Sequence, residues 1–195
     1  MKDRARSDGI ASAHVTYILD ERFAECTLVS LYSLLKARPE RITVDVYCAG
    51  PLGRLEAGLD ALADRFPDAD VALRSNAAFD ALAGGKGHIT AATFGRLFLP
   101  DMVTGRTLYI DGDTIVRKDI GPLFEMDLDG NAIAACRVPR IWRSVLALRP
   151  GSGVLLKHQH RARVRELEAV DGIDAARYFN AGIVLYDTDR IRSLG

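Results

Sequence analysis

The sequence lacks most of the features that settle a protein's class at once. It has only 3 cysteines, Cys26, Cys48 and Cys136, an odd number without C-x-x-C spacing, which indicates neither a disulfide framework nor a cysteine metal site. Their apolar neighbours predict buried free thiols in a reducing compartment. It has no net charge, since 26 lysines and arginines balance 26 aspartates and glutamates, so nothing in the charge predicts a nucleic-acid partner. It has no apolar run of membrane-spanning length, no internal repeat and no low-complexity tract. Residues 1–13 carry charges but no apolar core of a secretory signal, and are expected to be a flexible N-terminus of a cytoplasmic protein. What is present is 48% apolar residues in a chain of 195, enough for a soluble domain with a sizeable core.

The chain is organised around residues 106–116, RTLYIDGDTIV. Leu108, Tyr109 and Ile110 form a short β-prone run, followed at once by Asp111-Gly112-Asp113, so a strand ends in an acidic turn. Two carboxylates at the end of a buried strand repel each other and lose hydration, which is costly unless a cation sits between them. A hard divalent cation, Mg²⁺ or Mn²⁺, suits oxygen ligands shared with substrate phosphates. Gly112 lets backbone or ligand approach closely. A bare D-x-D also occurs in ordinary turns, and that reading stays open here.

Before this turn, strands and helices alternate. Residues 14–19 (HVTYIL) read as a strand that stops at Asp20. From Phe23 the period changes: Phe23, Cys26, Thr27, Ser30, Leu31, Leu34 and Leu35 recur at steps of three and four, and Pro39 closes a helix. Residues 42–48 are a second strand, followed by a helix over 52–66 and a short strand at 71–73. Such alternation predicts an α/β fold of nucleotide-binding type, with a mainly parallel sheet flanked by helices. Ligands collect at the carboxyl ends of such strands, where Asp20 and Asp111 both fall.

Residues 75–88 lose periodicity, and the stretch Gly84-Gly85-Lys86-Gly87 reads as a surface loop without P-loop spacing. A helix is expected from Thr90 to Pro100, with Phe94, Leu97 and Phe98 on an apolar face and Arg96 among them, either snorkelling to solvent or pairing with anions. A short helix is expected within 117–124 and a strand over 131–136. Residues 137–165 hold Arg137, Arg140, Arg143, Arg149, Lys157, Arg161, Arg163 and Arg165 and no acidic residue. They read as a basic insertion, over 137–177, that is either solvated and partly mobile or faces an anionic acceptor or membrane surface, with Trp142 as an interfacial anchor. His158 and His160 have no nearby carboxylate and are not read as ligands. Asn180 stands at the entry to the apolar strand 183–186, as a turn-former or a positioned hydrogen-bonding group.

Taken together, these pieces resemble glycosyltransferase family 8, the retaining enzymes of GT-A fold that include bacterial lipopolysaccharide galactosyl- and glucosyltransferases and glycogenin. The resemblance runs from Val15 to Arg192, and four stretches carry it: 18–24 (ILDERFA) with Ser33 downstream, 93–97 (TFGRL), 108–116 (LYIDGDTIV) with Pro122-Leu123, and 178–183 (YFNAGI). It implies one Rossmann-like GT-A domain over 14–195. By this resemblance Asp111 and Asp113 hold Mn²⁺ or Mg²⁺ on the diphosphate of a UDP-sugar, with Gly112 between them. Asp20 contacts the uracil with Phe23 nearby, Arg96 reaches the donor's phosphate or sugar region, and Asn180 sits by the transferred hexose. No nucleophile is assigned. The implied reaction transfers glucose or galactose to a saccharide or glycolipid acceptor such as lipopolysaccharide, on the inner membrane face.

Departures from the family pattern are specific. Arg22 stands where members commonly carry Asn beside the base, and Val138 where the lipopolysaccharide enzymes tend to carry Asp near the sugar. The family's third metal ligand, a His in a C-terminal H-x-G-x-x-K-P-W stretch, and a D-Q-D segment both lie beyond Asn180 in the family and are not in this chain. His14, His88, His158 and His160 all precede Asn180. The expectation is a C-terminally truncated domain: a fragment of a longer enzyme, or a short form that binds nucleotide sugar without turnover. A remote alternative is a haloacid-dehalogenase-like phosphatase, whose D-x-D-x-T motif the 108–114 run approaches with Thr114 one place early.

Overall fold

The computed structural model describes residues 13–37, 41–75, 94–155 and 157–195. The expectations for the N-terminal residues 1–12, for Pro39, for the glycine-rich stretch at 84–87 and for the start of the helix at Thr90 lie outside the described residues. The chain divides into two compact units, Met1–Ala132 with Leu185–Gly195, and Ile133–Val184.

In the first unit, β1 (Ala13–Asp20) and β2 (Ile42–Ala49) are buried on both faces, which is why their sequences read as nearly continuous apolar runs. They pair in parallel along their whole length, from Ala13 opposite Ile42 to Asp20 opposite Ala49. β3 (Ala69–Arg74), longer than its sequence signal, adds in parallel outside β2, and β4 (Arg106–Ile110) adds in parallel on the other side of β1, Val15 opposite Leu108. The order is therefore β3-β2-β1-β4, with β6 (Phe179–Asp187) next to β4. This is the mainly parallel α/β sheet expected. Between β1 and β2 runs α1 (Ala24–Ala37), and between β2 and β3 runs α2 (Gly53–Arg65). The buried face of α1 is Ala24, Thr27, Ser30, Leu31, Leu34 and Leu35. Phe23 and Cys26, which the periodicity placed on that face, are exposed: Phe23 belongs to a 3-10 turn, Glu21–Phe23, whose tighter winding shifts the phase before α1 begins.

A similar phase shift corrects the stretch around Arg96. A 3-10 turn over Arg96–Phe98 leads into α3 (Leu99–Met102), which continues past Pro100. The buried residue is Leu99, packed with Ile18, Tyr47, Val103 and Tyr109, whereas Phe94 and Leu97 are exposed. After the acidic turn come α4 (Gly121–Phe124) and, at the end of β6, α7 (Thr188–Leu194), capped by Asp187 accepting from the Arg190 amide and tied to Gly105 through the Thr188 hydroxyl.

In the second unit, β5 (Ile133–Arg137) is a neighbour of β6. The basic segment is helical: it folds as α5 (Pro139–Leu148) and α6 (Lys157–Glu168), packed on each other. Ile141, Ser144 and Ala147 form the buried stripe of α5, so its arginines occupy the remaining faces. Of the cysteines, only Cys48 is buried, and burial pushes its thiol up to about 11; Cys26 and Cys136 are exposed, contrary to expectation. None of the described helices is long and apolar enough to cross a membrane.

One buried charge cluster holds β1 to β3. Asp45, on β2, accepts from His14 Nε2 at 2.8 Å and from Arg74 Nε at 2.7 Å. Burial alone would raise its carboxyl, but the two hydrogen bonds outweigh burial and hold it below the usual value. A carboxyl depressed in the folded state contributes stability that is complete above the unfolded value of about 3.9 and is lost as pH falls through the lower folded value. Asp45→Asn is expected to destabilise the protein at pH 7 by about 2 kcal/mol, and to flatten the fall of melting temperature with acidification below pH ~4. Thermal melts of both proteins between pH 2 and 8 check this; parallel curves for the two would show that Asp45 is not the titrating group.

Candidate active site

The first unit gathers its chemistry at one edge of the sheet. β1 and β4 are parallel neighbours, so Asp20 at the end of β1 and Asp111 just past the end of β4 lie on the same, carboxyl-terminal, side. Asp20 also caps the 3-10 turn, its Oδ1 accepting from the Arg22 amide at 3.0 Å. Phe23 follows on that turn with its ring 46% exposed, available for stacking.

Asp111 is anchored from within the protein. The buried Tyr109 hydroxyl donates to its Oδ1 at 2.6 Å, and burial, followed by that carboxylate, holds the phenol far above its usual range, so it stays a proton donor. Arg96 lies 5.2 Å over the Tyr109 ring, and its Nη1 stands 4.0 Å from Asp111 Oδ1, the outer limit of an ion pair. Of the two readings open for Arg96, the structure takes the inward one: its side chain is 19% exposed and turned to the acidic turn. Asp113 differs. It is exposed and enters no hydrogen bond or ion pair with the described residues.

The turn between them is held by the polar face of α1. Thr114 Oγ1 donates to the Asp111 carbonyl at 3.0 Å, which leaves its lone pairs for Ser30 Oγ, also at 3.0 Å. With its one proton given to Thr114, Ser30 accepts from the Tyr17 hydroxyl, again at 3.0 Å. Burial pushes the Tyr17 phenol up to about 12, so the relay Tyr17, Ser30, Thr114, Asp111 runs in one direction throughout. One turn along, Ser33 accepts from the Val116 amide at 2.8 Å.

Gly112 is pressed on the same helix. A Cβ there would lie 2.1 Å from Thr27 Oγ1, and its φ is not left-handed, so lack of space alone demands glycine. What occupies the space of the missing side chain at Gly112 is thus α1. Thr27 Oγ1 is itself buried without a hydrogen-bond partner among the described residues, a cost of this close contact. In the sequence, Thr27 and Ser30 stand out only as members of a helix period. Their signal was that they are polar residues on an apolar face, as Tyr17 and Tyr109 are phenols inside apolar strands.

Two hard carboxylate ligands fit Mg²⁺ or Mn²⁺, with the remaining positions left to water and phosphate oxygens. Among the described residues, no group of three or more His, Cys, Asp or Glu side chains comes together as a metal site. Asn180 lies in the second unit, exposed on β6, where its Oδ1 accepts from the Gly182 amide at 2.7 Å. Its side chain is thereby set by its own strand.

A sequence profile described as Glycosyl transferase family 8 matches residues 14–194. The glycosyltransferase GlyE of Streptococcus pneumoniae is 51% identical over 51 residues, 26% of this chain and 13% of GlyE. Among solved structures, the galactosyltransferase LgtC in complex with donor and acceptor sugar analogues superposes with a TM-score of 0.65 at 22% identity, over 92% of this chain and 59% of LgtC. A mannosyltransferase from Pyrobaculum calidifontis, solved with GDP-Man and Mn²⁺, superposes with a TM-score of 0.51 at 16% identity, over 94% of this chain and 47% of that one. The chain therefore spans less than two thirds of the length of each. The fold is GT-A, a mixed six-stranded sheet flanked by helices, and the phosphatase alternative falls with it. Carried by a profile match over almost its whole length, the chain belongs to glycosyltransferase family 8.

Proposed function

We propose that the chain carries the donor site of a metal-dependent retaining glycosyltransferase, which moves a hexose, glucose or galactose, from a UDP-sugar to a saccharide or glycolipid acceptor. The observation that supports this most directly is the division of labour in the acidic turn: Asp111 fixed by Tyr109, and Asp113 exposed with no partner among the described residues. A carboxylate pair of that kind is preorganised on one side and open to a ligand on the other. Asp111 and Asp113 would hold Mn²⁺ or Mg²⁺, which when bound neutralises charge developing on the departing nucleoside diphosphate. Arg96 adds a fixed guanidinium on the same leaving-group side. Asp20 and Phe23 take the base, and Asn180 the transferred sugar. The basic segment 137–165 adds contact with an anionic surface, such as the inner face of a membrane carrying the acceptor.

A second reading, nucleotide-sugar binding without turnover, is favoured by the absence of a third metal-ligating side chain beside Asp111 and Asp113 among the described residues. Calorimetric titration of UDP and UDP-glucose into the protein with Mn²⁺, and again with EDTA, tests the donor site, and release of UDP from UDP-glucose separates the two readings. Metal-dependent binding with release supports transfer, and binding without release supports the second reading. Absence of binding under every condition would overturn the donor site itself.

Tyr109→Phe tests the anchoring. Loss of one hydrogen bond to a partly exposed carboxylate is expected to cost about 1 kcal/mol of stability and to weaken Mn²⁺-dependent UDP binding about tenfold, because Asp111 then samples rotamers that do not face the ligand. Unchanged affinity would show that the phenol does not position Asp111.

A further inference from the structure

The second unit contains a feature that donor binding does not use. Between α5, α6 and the loop joining them lies a cavity of about 790 Å³, within the range of small-molecule sites. Arg140, Arg143, Arg163 and His160 line it together with Val154 and Leu155. Three arginines and a histidine thus share one cavity with Gln159 and the apolar Pro139, Val154 and Leu155. No carboxylate pairs with any of these arginines among the described residues, and residues 137–165 contain none to offer.

Part of this lining is held in place: Arg163 and His160 are tied to one buried hydroxyl. Ser144, fully buried beneath the cavity, donates to the Arg140 carbonyl at 3.1 Å. That uses its one proton, so its oxygen accepts from Arg163 Nη1 and from His160 Nδ1, both at 3.1 Å. The histidine tautomer and the arginine position are therefore fixed by one buried hydroxyl, with every hydrogen-bonding position of that hydroxyl used. Arg140 and Arg143, just under one helical turn apart, present guanidinium groups from α5 that are unpaired among the described residues. Leu155 is 94% exposed beside them, an apolar side chain that water does not favour.

We propose that this cavity is a phosphate-binding site, and that its ligand is a phosphate ester. Guanidinium groups converging without carboxylates match the planar, multidentate recognition of phosphate oxygens. Val154 and Leu155 provide apolar lining for the ester's substituent. The phosphate belongs either to a lipid headgroup or to a soluble sugar phosphate, and the two are separated by titrating the full chain with monomeric dihexanoylphosphatidic acid and with glucose 6-phosphate. Heat of binding and the fluorescence of Trp142, the single tryptophan, which stands on the same helix as Arg140 and Arg143, provide the readouts.

Phosphatidic acid is expected to bind at least tenfold more tightly than glucose 6-phosphate, and comparable affinities would assign the site to soluble phosphates instead. The double variant Arg140→Gln/Arg143→Gln is expected to lose at least tenfold in affinity for the tighter probe. Arg161→Gln/Arg165→Gln, which removes the same charge from exposed positions outside the cavity, is expected to lose less than twofold. Equal losses in both pairs would reduce the effect to diffuse charge and overturn the site, as would failure of both probes to bind at 5 mM. Unchanged circular dichroism in both variants establishes that the comparison is between folded proteins.

Discussion

Asp113→Ala is expected to abolish Mn²⁺-dependent binding of UDP and UDP-glucose, a loss of at least ~100-fold, while moving the melting temperature by less than ~1 °C. The large and the small effect have one cause. Asp113 is exposed and makes no bond to the described residues, so the folded protein has nothing to lose with it. A divalent ion would meet two carboxylates in this turn, so losing one would remove half of the negative charge the turn offers it. Asp113→Asn, which preserves shape but not charge, is expected to behave as the alanine variant does. Calorimetry with and without EDTA reads the binding and differential scanning calorimetry the stability. Wild-type affinity in either variant would remove Asp113 from the metal site, and a large stability loss would reveal a structural role.

Gly112→Ala is expected to damage both stability and binding, and for a steric reason. Its methyl carbon would lie 2.1 Å from Thr27 Oγ1, 3.2 Å from Thr27 Cβ and 3.4 Å from the Thr27 Cα, so either α1 or the turn must move. Overpacking of this kind costs about 2–3 kcal/mol, which for a chain of this size lowers the melting temperature by roughly 5–10 °C. Displacing the turn also strains the relay from Thr114 to the Asp111 carbonyl, so donor affinity is expected to fall by at least tenfold. Thr27→Ala removes the worst contact and with it a buried hydroxyl that has no partner among the described residues. Alone it is expected to be nearly neutral; combined with Gly112→Ala it is expected to recover about half of the lost stability, a coupling of at least ~1 kcal/mol. The residual 3.2 Å contact keeps the rescue partial. Additive losses in the double variant would show that the helix is not what demands glycine.

The sequence by itself determined the α/β alternation, because β1 and β2 are buried on both faces and α1 on one, and burial periodicity is a local property of backbone geometry. It also located the acidic turn, because Asp111 and Asp113 are adjacent in the chain and follow an apolar strand. Where the local period changes, sequence periodicity no longer marks the buried face. The 3-10 turns at Glu21–Phe23 and Arg96–Phe98 moved Phe23, Cys26, Phe94 and Leu97 off the buried faces assigned to them. In the basic segment, charge density hid the weaker apolar stripe of Ile141, Ser144 and Ala147, so the helix pair there was not legible.

Only the tertiary structure decided what each polar residue does. That Gly112 meets Thr27 and Ser30 meets Thr114 depends on how α1 packs against the end of β4, and these partners are 85 and 84 residues apart in sequence. Arg96 had two readings, solvent or site, and its place over the Tyr109 ring selected one. The same holds for Arg163 and His160, which share the Ser144 hydroxyl only because α5 and α6 fold back on each other. Hydrophobic patterning records which faces turn inward, but a hydrogen bond needs two atoms within about 3 Å, and that distance is set by the packing of whole elements rather than by any one of them.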